Sequence, residues 1–517
     1  MMPPSANWPS RISGTSAAAA AGLSGVAAEH ETDGKSHSGG GVWERPPDQK
    51  DRGNRLNLIL LNVDTFRADN LECYGSKFID CPNLNRFSQE CVIFEDAYPE
   101  GMPTIPIRRT LMTGRRILPF YSYPQHEIIQ MPGWHELYHE DVTWAETLHE
   151  AGYITALVCD ILHFLRPGRN FHRGYRYFEW ERGHSFDYSA TVPHEGIDIS
   201  DVVPADYLET WSSFAGEDVR WFLNQYKANM RRWSQRGESL IELTARKSMA
   251  WLKQNHAERP FFLHMEAFDP HEPWDPPKRF LEKYRPNAQG HTWTNPPYAD
   301  IEIPEEGVAR LRANYAGETE CVDHWLGEVL KTIGELGLFD NSIVVFMSDH
   351  GALLGEQGQF CKGPERLRRQ ATHIPLLVRL PNKEHAGERV GGFVQIPDYM
   401  PTLLGRLGLQ SPSRVTGQDF WPLVTGETQS IREFTVQAYG WIGCVRTPEW
   451  NFSAVWNREA YEGDYAPQLY NREKDPDELT NVAEKYPDIV TDLKKTLDDY
   501  MAAGEGLTRG SFHGQPT

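Results

Sequence analysis

The chain has 517 residues, 39% of them apolar and 12% aromatic, enough for a large core and a second, smaller domain. No stretch approaches the ~20 apolar residues that cross a bilayer, so no transmembrane segment is expected. A formal net charge of −20 argues against a sequence-independent nucleic-acid binder, which needs a basic surface. A local basic pocket for an anionic substrate is compatible with that charge.

Residues 1–54 are rich in Ala, Gly, Ser, Pro and charge and read as a disordered tail or a removed leader. Within them "SRISGTSAAAAAGLSGVAAEHE" looks like a degraded export signal of the twin-arginine type, with Arg11 alone where a pair is expected. A plain low-complexity tail is the other reading, so cytoplasmic and exported locations both stay open. Seven scattered cysteines, an odd number without a CxxC pair, predict mostly free thiols rather than a disulfide scaffold. Nothing in the sequence sets an oligomeric state.

The folded part opens at "RLNLILLNVDTFRADN", where Leu56 to Val63 is an apolar run, broken only by Asn57 and Asn62, that ends in Asp64. Such a run predicts a strand buried on both faces of a parallel sheet. A helical segment "TWAETLHEAG" stops at Gly152, and the strand "YITALVC" follows. Helix and strand then alternate through "SLIELTARKSMAWLKQNH", "PFFLHMEAF", a long helix over 307–338, "SIVVFM" and "IPLLVRL". This alternation predicts a large α/β sandwich with a mainly parallel central sheet over 55–428. From about residue 430 the pattern changes to short aromatic strands closed by a helix near 485–502, a small antiparallel sheet-and-helix domain over 429–505. Residues 506–517 read as a tail.

Ligands of open α/β sheets gather outside the carboxyl ends of the strands. Polar residues at those ends are Asp64, Asp160, Asp269 with His271, and Asp349 with His350. Asp64, Asp349 and His350 are candidate ligands for one divalent metal ion, with Ca, Mg, Mn and Zn all compatible with two carboxylates and an imidazole. In "PTIPIRRTLMTGR" a hydroxyl, Pro106 and two arginines precede an apolar turn. The proline restrains the backbone so that Thr104 and Arg108 can converge, and the Arg108 fork suits a tetrahedral oxyanion.

The segments "NVDTFRADNLECYG", "PTIPIRRTLMTGR", "AFDPHEPWDPP", "SDHGALLGEQGQFCKGP" and "ATHIPLLVRLP" resemble, in order, the signature segments of the sulfatase family within the alkaline phosphatase superfamily. The closing "QLYNREKDPDELTNVAEKYPDIVTDL" resembles that family's C-terminal signature. The resemblance implies an alkaline phosphatase-like fold and a metal-dependent hydrolase of anionic esters. It matches Asp64, Asp349 and His350 to metal ligands, Arg108 to the arginine of the nucleophile motif, His271 to a leaving-group histidine and Lys362 to an anion-binding lysine. Thr65 falls where some members carry a ligand.

The chain departs from that pattern at two places. Sulfatases carry Cys or Ser, matured to formylglycine, where Thr104 stands. A formylglycine hydrate sheds sulfate through its second hydroxyl, a route closed to threonine. Alkaline phosphatase relatives use an unmodified Ser or Thr, and Asp64, Thr104, Asp349 and His350 reproduce one of the two metal sites of the phosphodiesterases among them. Phosphate and phosphonate esters therefore stand beside sulfate esters as substrate classes. A non-catalytic binder of sulfated or phosphorylated ligands is the alternative. Second, "CDILHF" replaces a Gly-Lys-Trp-His sequence, offering Asp160 and His163 as candidate substrate-binding residues. Arg166, His172 and Arg173 add substrate-shaping candidates nearby.

Overall fold

Eight strands form the main sheet, in the order β11 (Arg389–Gln395), β2 (Val92–Tyr98), β10 (Leu376–Arg379), β7 (Ser342–Ser348), β1 (Asn57–Val63), β6 (Phe261–Ala267), β4 (Ile154–Cys159) and β5 (Tyr177–Trp180). The computed structural model describes residues 55–76, 78–120, 131–165, 168–191, 197–210, 219–258, 260–287, 289–298 and 302–508. The N-terminal tail with Arg11, the side chain of Arg166 and the last nine residues lie outside them.

β1 pairs in parallel with β6 and β7, and β6 with β4. All seven residues of β1 are buried. Leu58 and Leu60 face one core, while Ile59, Leu61 and Val63 face the other, as such an apolar run requires when both sheet faces are covered. β10, the "IPLLVRL" strand, runs antiparallel to both its neighbours, so the sheet is mainly rather than wholly parallel.

Five helices matter for the site. Helix α1 (Thr104–Thr113) packs Ile105, Ile107, Leu111 and Met112 on one face of the sheet, beside α2 (Trp144–Glu150). Thr143 and Glu146 cap the start of α2 reciprocally, and Gly152 takes up a left-handed conformation just beyond its end. Helices α3 (Leu240–Asn255) and α4 (Glu305–Glu335) cover the other face, where Val322, Leu326, Val329 and Ile333 form the buried stripe expected of the long helix.

The segment around Thr104 is a helix that runs on through Leu111 and Met112, where an apolar turn was expected. Pro106 is its third residue, a position whose N–H has no helical acceptor in any case, so the proline costs no hydrogen bond. All ten residues of α1 are buried. The helix ends at Gly114, left-handed at φ 60°, where a Cβ would press on Met400 at 3.1 Å.

The smaller sheet runs β15 (Gln468–Asn471), β14 (Trp450–Val455), β13 (Ile442–Arg446), β12 (Thr435–Tyr439), β3 (Gly101–Met102). Its first four strands are antiparallel neighbours and pack on Leu493, Leu497 and Met501 of α5 (Pro487–Gly504). The fifth strand comes from the other end of the chain. β3 comes from the segment just before Thr104 and pairs in parallel with β12, Ala438 opposite Gly101 and Tyr439 opposite Met102. A hairpin of β8 (Leu353–Glu356) and β9 (Gln359–Cys361) delivers Lys362. All seven cysteines are free thiols, six of them buried.

Leu111 is fully buried between α1 and the sheet, so Leu111→Ala is expected to lower unfolding free energy by about 2–5 kcal/mol. Urea titration checks this. A lower midpoint at unchanged slope is expected, and an unchanged midpoint contradicts the packing of α1.

Candidate active site

The strand order β7-β1-β6-β4 sets the polar strand ends side by side: Asp349, then Asp64, then Asp269 and His271, then Asp160. Asp64, Asp349 and His350 are fully buried, and one ligand atom from each lies within 4.8 Å of the others. They are the one such group among the described residues. His350 Nδ1 donates to the Gly351 carbonyl at 2.9 Å, which leaves the lone pair on Nε2. That Nε2 is buried without a hydrogen-bond partner and lies 3.3 Å from Asp349 and 3.7 Å from Asp64. Burial pushes the imidazole down to about 3, so it is neutral, as a metal ligand must be.

The backbone holds the two carboxylates under strain. Thr65 sits at φ 62°, a conformation rare for a β-branched residue. Its amide donates to Asp349 Oδ1 at 3.0 Å and its hydroxyl to Asp64 Oδ1 at 2.6 Å, while Tyr315 Oη holds its carbonyl at 2.9 Å. Thr65 thus orients both carboxylates from its own backbone and side chain.

Thr104 occupies the first position of α1, and its Oγ1 donates to Asp64 Oδ2 at 3.4 Å. The hydroxyl therefore sits at the positive end of a buried helix dipole, worth roughly half an elementary charge. Arg108 follows one turn later on the same face. Its guanidinium, fully buried, contacts Asp349 Oδ2, Asp64 Oδ2 at 3.2 Å and Glu266 Oε1 at 2.5 Å. Burial and the charge of Asp349 push the Asp64 carboxyl well above its ordinary value, with Arg108 and Lys362 pulling partly back. Burial acts the same way on Asp349, but Arg108 and His350 outweigh it and hold that carboxyl low.

Lys362 Nζ donates to His271 Nε2 at 2.9 Å and contacts Glu272 at 3.4 Å and Tyr298 Oη at 3.1 Å. Burial and the ammonium push His271 well below its usual range. Its Nδ1 donates to the Glu272 carbonyl at 2.7 Å, so the lone pair faces Lys362. Burial lowers Lys362, but Glu272 and Asp64 more than restore its charge. Asp64, Asp349, Glu266 and Glu272 outnumber Arg108 and Lys362, and a divalent cation would balance that excess. Together with the bare Nε2 of His350, this makes the residues present fit a metal.

The other candidates serve elsewhere. Asp160 accepts from Thr244 Oγ1 at 2.8 Å and the Phe268 amide at 2.6 Å, one bond to each oxygen, and so ties the end of β4 to α3 and to the end of β6. His163 packs edge-on against Trp134 and Phe268, and Phe268 stacks on His271 at 4.0 Å. Arg173 is bound to the Tyr138 and Asp141 carbonyls and to Glu146. His172 lies beside Phe178. Glu266 and Tyr298 went unnoticed in the sequence. Glu266 had a signal, as a charged residue within an otherwise apolar strand.

Behind His271 lies an acidic cluster. Asp269 accepts from His184 Nε2 at 2.7 Å and the Ile241 amide at 2.9 Å, Asp275 from the Tyr226 hydroxyl, and Glu318 is buried close by. Burial, aided by the charge of Asp269, pushes Asp160 and Asp275 up to about 7.

A helix-borne hydroxyl, two buried cations and a carboxylate–imidazole group thus converge at the ends of the parallel strands. The family profile described as Sulfatase matches residues 56–409, and that of the N-sulphoglucosamine sulphohydrolase C-terminal region matches 355–503. The chain belongs to the sulfatase family and is by that membership a sulfuric ester hydrolase. It is 26% identical to an arylsulfatase of Clostridium perfringens, over 88% of this chain and 96% of that one. It is 24% identical to an N-acetylgalactosamine-6-O-sulfatase of Bacteroides thetaiotaomicron, over 87% and 94%. The fold is shared with the crystal structure of a phosphonate monoester hydrolase of Agrobacterium radiobacter, at TM-score 0.62 and 20% identity over 87% of this chain and 96% of that one. The alkaline phosphatase-like sandwich implied by the sequence is the fold observed.

Because the folded chain keeps protons on Asp160 and Asp275 that the unfolded chain releases near about pH 4, both groups favour folding in acid. That contribution is lost as the pH rises through about 7. Asp275→Asn is expected to flatten the decline of unfolding free energy between roughly pH 4 and pH 7, measured by urea titration. An equal decline in variant and parent contradicts the assignment.

Proposed function

We propose that the chain is a metal-dependent hydrolase of sulfate or phosphate/phosphonate esters in which Thr104 is the nucleophile. The observation that carries this reading is the placement of the Thr104 hydroxyl at the start of α1, 3.4 Å from Asp64 and one turn from Arg108. Asp64, Asp349 and His350 Nε2 would hold one divalent cation, Ca, Mg, Mn or Zn, which supplies charge stabilisation and a lowered pKa to an oxygen bound there.

Thr104 Oγ1 attacks sulfur or phosphorus in line and gives up its proton to Asp64 Oδ2, the oxygen that accepts its hydrogen bond. The helix terminus and Arg108 balance the negative charge gathered on the ester oxygens. The bond to the leaving oxygen breaks, and that oxygen takes a proton from the Lys362–His271 pair. The proton sits on Lys362 Nζ, because His271 presents a lone pair to it. Lys362 is therefore the acid and His271 the group that orients it. Threonine carries one hydroxyl on Cβ, so water must attack the threonyl ester to restore Thr104. That need favours phospho-type esters beside sulfate esters, since a threonyl phosphate is opened by in-line attack of water.

Turnover of matched aryl sulfate, phosphate monoester, phosphodiester and phosphonate ester substrates tests the reading. At least one class is expected to turn over, and Thr104→Ala is expected to fall below about one-thousandth of the parent kcat. Intact turnover in that variant contradicts the assigned role. Chelation is expected to abolish activity and added divalent cation to restore it; a chelator-resistant enzyme contradicts the cation. Anion binding by calorimetry with no turnover in any class would replace catalysis by the binder reading.

A further inference from the structure

Glu266 has no part in the chemistry above, yet it is fully buried at the heart of the sheet and both its oxygens are engaged. Oε1 accepts from Arg108 Nε at 3.1 Å and Nη2 at 2.5 Å. Oε2 accepts from Asn62 Nδ2 at 2.7 Å and His264 Nε2 at 3.1 Å. Tyr175 Oη closes the chain on His264 Nδ1 at 2.8 Å. The register makes this possible. Asn62 on β1 lies directly opposite Glu266 on β6, and His264 lies two residues before Glu266 on the same face.

We propose that Glu266 is a positioning residue, held by Asn62 and His264, that anchors the Arg108 guanidinium and draws part of its charge away from Asp64 and Asp349, which the same guanidinium also touches. Three carboxylates compete for one guanidinium. A planar fork is oriented by the acceptor that takes its Nε edge, and that acceptor is Glu266. Released from Glu266, the same cation leans on the two carboxylates assigned to the metal and opposes a divalent ion there. The proposal rests on the assignment of Arg108 and of the metal ligands made above.

Glu266→Gln keeps the shape and removes the charge that holds Arg108. Its divalent-cation affinity, read by calorimetry with manganese, is expected to fall about 10- to 100-fold, and kcat to fall by a similar factor with KM within about threefold. Tyr175→Phe removes only the far hydroxyl of the chain and is expected to shift both quantities the same way by less than about tenfold. It is the deciding variant where Glu266→Gln does not fold. Manganese affinity equal to the parent in a folded variant overturns the proposal, whatever the turnover. A parent that binds manganese and hydrolyses none of the four ester classes overturns the catalytic reading instead, and the calorimetric comparison still decides the role of Glu266.

Discussion

Two carboxylates buried side by side repel each other, and a low-dielectric interior makes that repulsion expensive, by several kcal/mol for each uncompensated charge. Asp64 and Asp349 stand in that position at the ends of neighbouring strands. Much of the surrounding architecture answers the conflict. Arg108 reaches both carboxylates, the Thr65 amide and hydroxyl take one oxygen from each, and Lys362 acts from the far side. The result is a pair in which one carboxyl is held low and the other raised. A site so arranged is prepared for positive charge, which is the property that ester chemistry on an anion exploits.

The same requirement dictates where the polar groups enter. Parallel strands all end on one side of the sheet, so alternating helices and strands bring residues distant in sequence to a single edge. The helix that carries Thr104 packs on one face, and the long helix that carries Tyr315 packs on the other. Tyr315 reaches across to hold the strained Thr65. The strain at φ 62° is thus supported from both the strand side and the helix side.

Much of this was legible in the chain. The apolar run before Asp64 announced a strand buried on both faces, and Asp349 and His350 at another strand end announced the donor group. Pro106 read as a restraint on the backbone, and in the first turn of a helix it supplies one without costing a hydrogen bond. Asp160 is a different case. A strand-end carboxylate reads alike whether its oxygens face a ligand or a neighbouring amide, and only the fold supplies Thr244 and Phe268 as its partners. Asn62, His264 and Glu266 were visible as polar residues inside apolar strands, where each buried group needs a partner. Their mutual registration across β1 and β6 could not be read from either strand alone.

The pairing of β3 with β12 reaches beyond architecture. Two residues that lead directly into the helix of Thr104 find their strand partner only near the far end of the chain. That pairing closes a long stretch of chain, so its loop-closure entropy must be met before the contact rewards the fold. The start of the hydroxyl-bearing helix is thereby tied to a strand of the smaller sheet. The two sheets share a seam, and it runs beside Thr104.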